Sequence, residues 1–149
     1  MTWTAPALVS LGVLAALAPR AASADGRGHE RERHPTCVVD IGSEQAPLAF
    51  RHFRATRVVE LEFEVQLWHL RKAERAPQLR LYTPDGFLYQ VLETREVRSR
   101  SAARRYRARL PVAGSSIMQS GLYGRWRVVP HAGDGRDACG QSRSFFIRP

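Results

Sequence analysis

Residues 57–70 read Arg57-Val58-Val59-Glu60-Leu61-Glu62-Phe63-Glu64-Val65-Gln66-Leu67-Trp68-His69-Leu70, and in them Val59, Leu61, Phe63, Val65 and Leu67 alternate with Glu60, Glu62, Glu64 and Gln66. Successive side chains of a pleated strand point to opposite faces, so this pattern gives one apolar face and one wet face. On a helix, side chains two apart sit roughly 200° from each other, which would spread the apolar set around the whole circumference. The stretch is therefore a strand buried on one side. Its alternation slips at Trp68, which predicts a bulge or an edge there that turns the ring over apolar surface. Trp68 reads as core, and an exposed sugar-stacking ring is the alternative.

Working outward, the same period recurs. Residues 36–41 and 48–53 make short strands, the second with Leu48, Phe50 and His52 opposite Ala49, Arg51 and Phe53. Leu79 and Leu81 alternate with Arg80 and Tyr82, and the turn Pro84-Asp85-Gly86 then delivers a return strand over 87–93. Pro fixes φ and Gly accepts a positive φ, so 78–93 is a hairpin. Residues 94–104 are polar, basic and without alternation, which predicts a long loop. Tyr106, Ala108, Leu110 and Val112 then oppose Arg105, Arg107 and Arg109. A turn over 113–116 brings Ile117 and Met118 to plug the end of the core. In 121–130, Leu122, Gly124, Trp126 and Val128 face one way and Tyr123, Arg125, Arg127 and Val129 the other, which makes Trp126 the central core aromatic. A turn-rich segment, 131–137, precedes a last strand over 144–148 with Phe145, Phe146 and Ile147. Short strands divided by turns predict an all-β fold, an antiparallel β-sandwich of roughly seven or eight strands.

The run Ser120-Gly121-Leu122-Tyr123-Gly124-Arg125-Trp126-Arg127-Val128, with its Gly/Asp-rich turn and the closing Phe145-Phe146-Ile147, resembles the last hairpin of immunoglobulin-like or jelly-roll accessory modules of secreted bacterial proteins. The Leu79-x-Leu81-x-Thr83-Pro84-Asp85-Gly86 hairpin is also similar to theirs. The resemblance spans 78–147 and implies a non-catalytic module that binds, spaces or stabilises. It transfers no ligand residue. Antibody-type domains join two central strands by their disulfide, whereas here the cysteines stand near the two ends of the region that folds.

Residues 1–24 carry an apolar run through Leu8, Val9, Leu11, Val13, Leu14 and Leu17, then Ala22-Ser23-Ala24, and read as a secretory signal peptide although no Lys or Arg precedes the run. The run is shorter than the ~20 residues a spanning helix needs, so no membrane span is expected. Residues 25–35 read as a disordered basic leader and 36–149 as one β-sandwich domain. The expected location is secreted or periplasmic. Cys37 and Cys139 are the chain's two cysteines, and in an exported protein they are expected to form a structural disulfide, having no C-x-x-C spacing for metal or redox work.

The 149 residues carry a formal charge of +9, with Lys72 the one lysine among 23 basic residues. Such a bias suits arginine-based anion recognition, but a GC-rich coding sequence produces it too and is the favoured reading. No G-x-S-x-G, H-E-x-x-H, P-loop or dinucleotide motif occurs, so the chain reads as not an enzyme and without cofactor or metal. A hydrolase would need a triad assembled from dispersed residues. Asp134 and Asp137 suit either a turn or a calcium ion. Two basic rows remain: Arg105, Arg107 and Arg109, and Tyr123, Arg125 and Arg127. Anionic polymers could lie across them, whether polysaccharide, lipopolysaccharide or, less favoured, DNA. Glu60, Glu62 and Glu64 have the spacing to cancel the first row instead, if their strand lies beside it. The expected function is an exported non-enzymatic module with a binding or structural role toward an unidentified partner, a protein or an anionic polymer; the alternative is an electrostatic binder of anionic envelope polymers through the Arg rows.

Overall fold

The computed structural model describes residues 36–69, 75–133 and 135–149, so the readings of 1–35, of 70–74 and of Asp134 lie outside the described residues. These residues form β1 (Thr36–Ser43), β2 (His52–Arg54), β3 (Glu60–Trp68), β4 (Gln78–Tyr82), β5 (Leu88–Glu93), β6 (Arg95–Val97), β7 (Arg104–Pro111), α1 (Ser116–Gln119), β8 (Gly124–His131) and β9 (Arg143–Arg148). The strands make two sheets, one in the order β1-β3-β7-β6 and one in the order β2-β9-β8-β4-β5.

The alternation read in the sequence becomes the core. Leu61, Phe63, Val65 and Leu67 of β3 join Tyr106, Ala108 and Leu110 of β7 in one buried cluster with Leu79, Leu81, Trp126, Val128, Phe145 and Ile147 of the second sheet. Phe63 of the first sheet meets Phe145 of the second edge-on, with centroids 5.8 Å apart. Burying one such side chain is worth about 1.5–3 kcal/mol, so the two inner faces hold each other. Trp126 sits fully buried between Tyr89 and Phe145 at 5.1 and 6.1 Å, and its Nε1 donates to the Leu122 carbonyl at 2.9 Å. Ile117 of α1 is fully buried, on a turn whose Ser115 hydroxyl accepts from the Ile117 amide.

The β4–β5 hairpin turns through Gly86 at φ 86°, with Gly86 N–H donating to Thr83 O and Thr83 N–H to Phe87 O, both at 2.9 Å. The disulfide joins Cys37 on β1, an edge of the first sheet, to Cys139 on the segment leading into β9 of the second, over a sequence separation of 102. Cys37 N–H also donates to Cys139 O at 2.6 Å. Closing so long a loop removes unfolded-state entropy worth up to about 4.7 kcal/mol in the chain-entropy model. No helix among the described residues is long and apolar enough to cross a membrane.

Four readings are corrected. Val59 is 64% exposed, because the pleat of β3 begins at Glu60 and Val58 turns inward in its place. Trp68 stays in strand register opposite Thr36, half-buried on the outer face; the irregularity falls one residue later, at His69 with φ 62°. The strand expected over 48–53 is the shorter β2, and it pairs parallel with β9, leaving Leu48 and Phe50 exposed. The loop expected over 94–104 contains β6, paired with β7. Among the described residues there are thus nine strands, the additional one, β6, being a short edge strand whose few side chains cannot show a period.

Candidate functional site

A strand buried on one face presents its other side chains to water at every second position, so each sheet here has one outer face to be read row by row across its strands. On the first sheet, Glu62 stands opposite Arg109, Glu64 opposite Arg107 and Gln66 opposite Arg105. Arg107 bridges two carboxylates, reaching Glu62 at 3.1 Å and donating from Nε and Nη2 to Glu64 Oε2 at 3.2 and 3.1 Å. Arg109 reaches Glu60 at 3.0 Å, and Arg105 reaches Glu64 at 3.7 Å. Glu64 is only 3% exposed although it points outward, because these arginines lie over it. Asp40 on β1, beside Glu64, and Arg95 on β6, beside Arg107, extend the face by one charge of each sign. The row Arg105, Arg107 and Arg109 is therefore paired.

The second sheet places Arg125 and Arg127 differently. Both are exposed on β8, whose neighbours β9 and β4 turn Ser144, Phe146 and Arg148, and Gln78, Arg80 and Tyr82, to the same side. Arg54 and His52 continue the face onto β2, opposite Arg148 and Phe146. Among the described residues no carboxylate makes a salt bridge to Arg54, Arg125, Arg127 or Arg148. Arg125 Nε donates to the Ser144 hydroxyl at 3.2 Å, and Arg148 Nη2 lies 3.4 Å from His52 Nδ1. Tyr123 stands just before β8, half-buried, so the predicted row holds at its two arginines and ends at the tyrosine.

The aromatic rings of this face are already engaged. His52 and Phe146 lie on paired strands with centroids 4.9 Å apart and planes within 3°. Neighbouring strands are about 4.8 Å apart, so the rings face one another across the strands and not outward. The Arg127 guanidinium sits 4.6 Å from the centroid of the Tyr82 ring. One face of each of these rings is thereby used within the sheet, beside the exposed guanidinium groups. Such a surface suits anionic groups better than stacked bases.

The far end of the face is roofed. Arg80 Nη2 donates to the Gly135 carbonyl at 2.7 Å, and a Cβ on Gly135 would lie 2.6 Å from Gln78 Oε1, so the segment after β8 packs on β4. His131 is buried beneath it and its Nδ1 has no hydrogen-bond partner. Desolvation first, then the charge of Arg80, hold its pKa below the usual imidazole value, against opposing help from Arg136, Asp137 and Gly135.

Elsewhere, an open hollow of about 760 Å³ lies at the β6–β7 loop, lined by Glu96, Arg98, Arg100 and Arg104 among others. Its Arg104 is held by both Glu96 oxygens, at 2.9 and 2.6 Å, which lowers the glutamate's pKa. Arg104 also lies over the ring of Tyr106, whose hydroxyl is buried without a partner and raised in pKa mainly by desolvation. No group of three or more His, Cys, Asp and Glu side chains among the described residues is placed to hold a metal ion.

The sequence singled out Arg125 and Arg127 but not Arg54, Arg148, His52, Phe146 and Tyr82. Their signal was the outward parity of β2, β4 and β9, which becomes a surface only once those strands are known to flank β8. No protein-family model matches the chain, and no curated protein matches it significantly in sequence.

Proposed function

We propose that this chain is an exported, non-enzymatic β-sandwich module of immunoglobulin-like arrangement that binds anionic envelope components through the outer face of its second sheet. The sandwich reading is supported by the core shared between the sheets and by their strand orders. In their order across the sheets, β1, β3, β7 and β6 take the places of an A-B-E-D sheet, and β9, β8 and β4 those of G-F-C, with β5 as an added edge strand. The disulfide departs from the antibody pattern by joining β1 to the segment before β9. It also supports export, since disulfides persist in oxidising compartments.

One observation carries the binding reading: four exposed arginines, Arg54, Arg125, Arg127 and Arg148, share a face on which no carboxylate is bridged to them, while the comparable row on the other sheet is neutralised. Arginines not bridged to a carboxylate gain by releasing counterions from a polyanion, and that gain falls with salt. Retention on a heparin-type resin should therefore fall steeply with salt. Replacing Arg125 and Arg127 by Gln should move elution to clearly lower salt, whereas Arg107→Gln should leave it nearly unchanged. Retention indifferent to salt, or equal loss from both sheets, would sink the reading.

A further inference from the structure

We infer that the anionic component met by this face is a lipid surface, with the β5 border of the second sheet entering the headgroup layer. The inference rests on the anion-binding reading and adds to it the apolar edge beside the arginines. From β2 towards β5 the face changes character, from Arg54, Arg148, Arg125 and Arg127 through Tyr82 to Leu88 and Val91. Leu88 is 54% exposed opposite Tyr82, Val91 is 41% exposed opposite Arg80, and Phe87 at the turn is 73% exposed. With strands about 4.8 Å apart, Leu88 on β5 lies roughly 10 Å from the β8 strand that carries Arg127.

A soluble acidic polysaccharide offers charge to the arginines and nothing to a phenylalanine and a leucine. An anionic leaflet offers both, phosphates at the surface and acyl chains about 5–10 Å beneath. Contiguous exposed apolar side chains mark interaction surfaces. The border is also preformed: Thr83 N–H donates to Phe87 O at 2.9 Å and Phe87 N–H to Thr83 Oγ1 at 3.2 Å, which fixes the backbone that presents Phe87. The hairpin's carboxylates bound this border at its two ends: Asp85 lies at the turn, two residues before Phe87, and Glu93 is the next outward residue after Val91, opposite Gln78. A second copy of the chain suits the border less well, since at a formal charge of +9 it would bring like-charged faces together.

The test uses the oxidised protein and follows two readouts in parallel: co-sedimentation with vesicles of phosphatidylglycerol and phosphatidylcholine against phosphatidylcholine alone, and retention on heparin-type resin. The expected result is binding to the anionic vesicles only, weakened about fivefold for each of Arg125 and Arg127 replaced by Gln. Phe87→Ser combined with Leu88→Ser should weaken vesicle binding by about tenfold or more and leave heparin retention unchanged. These exposed positions lie outside the core, so an unchanged melting temperature should accompany the loss. Vesicle binding that ignores the serine pair overturns the inference, as does heparin binding without vesicle binding, which leaves the anion reading standing. Absence of both bindings removes the anion reading itself. A dimeric wild type that becomes monomeric in the serine pair assigns the border to a second copy and overturns the lipid assignment.

Discussion

On β7, Arg105, Arg107 and Arg109 stand two residues apart, and on β8 Arg125 and Arg127 do the same, yet only the first set has a strand of glutamates beside it. The difference lies in the neighbours and not in the arginines. β3 offers Glu60, Glu62 and Glu64 at the same spacing, while β4 and β9 offer Gln78, Arg80, Tyr82, Ser144, Phe146 and Arg148. Identical cations are thus a stabilising lattice on one sheet and an available field on the other. Exposed cross-strand pairs are worth only about 0.2–1 kcal/mol each, so the lattice matters chiefly because it removes charge from the surface.

The widest separation between the faces should appear when each is stripped of its arginines. Replacing Arg54, Arg125, Arg127 and Arg148 together by Gln should lower affinity for a heparin-type polyanion by about a thousandfold at low salt, at about 1 kcal/mol per arginine, and flatten its salt slope. Replacing Arg105, Arg107 and Arg109 should change affinity less than about threefold while lowering thermal stability, since Glu64 would be left under a cover that no longer pairs it. Titration by fluorescence anisotropy and a thermal melt measure the two effects. Comparable loss of affinity from both triple and quadruple variants would erase the distinction between the sheets.

The disulfide offers the next contrast, because it should matter to the fold and not to either face. Cys37→Ser with Cys139→Ser should cost about 3 kcal/mol of unfolding free energy in denaturant titrations. Below the denaturation onset, polyanion affinity should stay within about twofold of the oxidised protein, because neither cysteine is a register partner of any of these arginines. A collapse of affinity in the still-folded variant would tie the second face to β1.

A gain of binding is the more demanding test. Glu60→Gln, Glu62→Gln and Glu64→Gln together leave Arg105, Arg107 and Arg109 without partners on an intact strand. That variant should bind polyanion about tenfold more tightly and with a second site in the titration, at a stability loss of about 1–2 kcal/mol. An unchanged stoichiometry would mean that unpaired arginine rows are not what this protein binds with.

How much of this could be read from the chain follows from burial. β3, β4, β7, β8 and β9 each bury one face, so Leu61 to Leu67, Leu79 and Leu81, Tyr106 to Leu110, and Trp126 and Val128 declare themselves by alternation. β2 and β6 are three-residue edge strands, and one buried Phe53 or none leaves no period to see. The parallel partnership of β2 with β9 joins residues nearly a hundred positions apart and leaves no local trace. The complementarity of Glu60, Glu62 and Glu64 to the β7 arginines was legible as spacing, but their adjacency was not. For the same reason Arg125 and Arg127 could be nominated, while Arg54 and Arg148, which turn two residues into a face, could not. Trp68 misled because its position in the alternation assumed that a large ring must be buried.

The smallest expected effect lies within the second face itself, between its open part and the part roofed by the segment after β8. Under that roof His131 is buried, with Nδ1 unpartnered; Arg80 and Asp137 are the charged groups that act on it, in opposite directions, while Arg136 and Gly135 act through their backbone. Desolvation and Arg80 lower its folded pKa below the ordinary 6.5, so the native chain binds fewer protons there than the unfolded chain does. The contribution is accordingly complete above about pH 6.5 and is lost as pH falls through the lowered folded value. Denaturant titrations between about pH 8 and 5 should show stability declining over the acidic half, and His131→Gln should flatten that decline. Polyanion binding by Arg125 and Arg127 should persist across the same range, because His131 stands opposite Gln78 at the far end of the face, four residues along β8 from Arg127. A His131→Gln variant that keeps the full acid slope would place the titrating group elsewhere and leave the roof over Arg80 insensitive to protons.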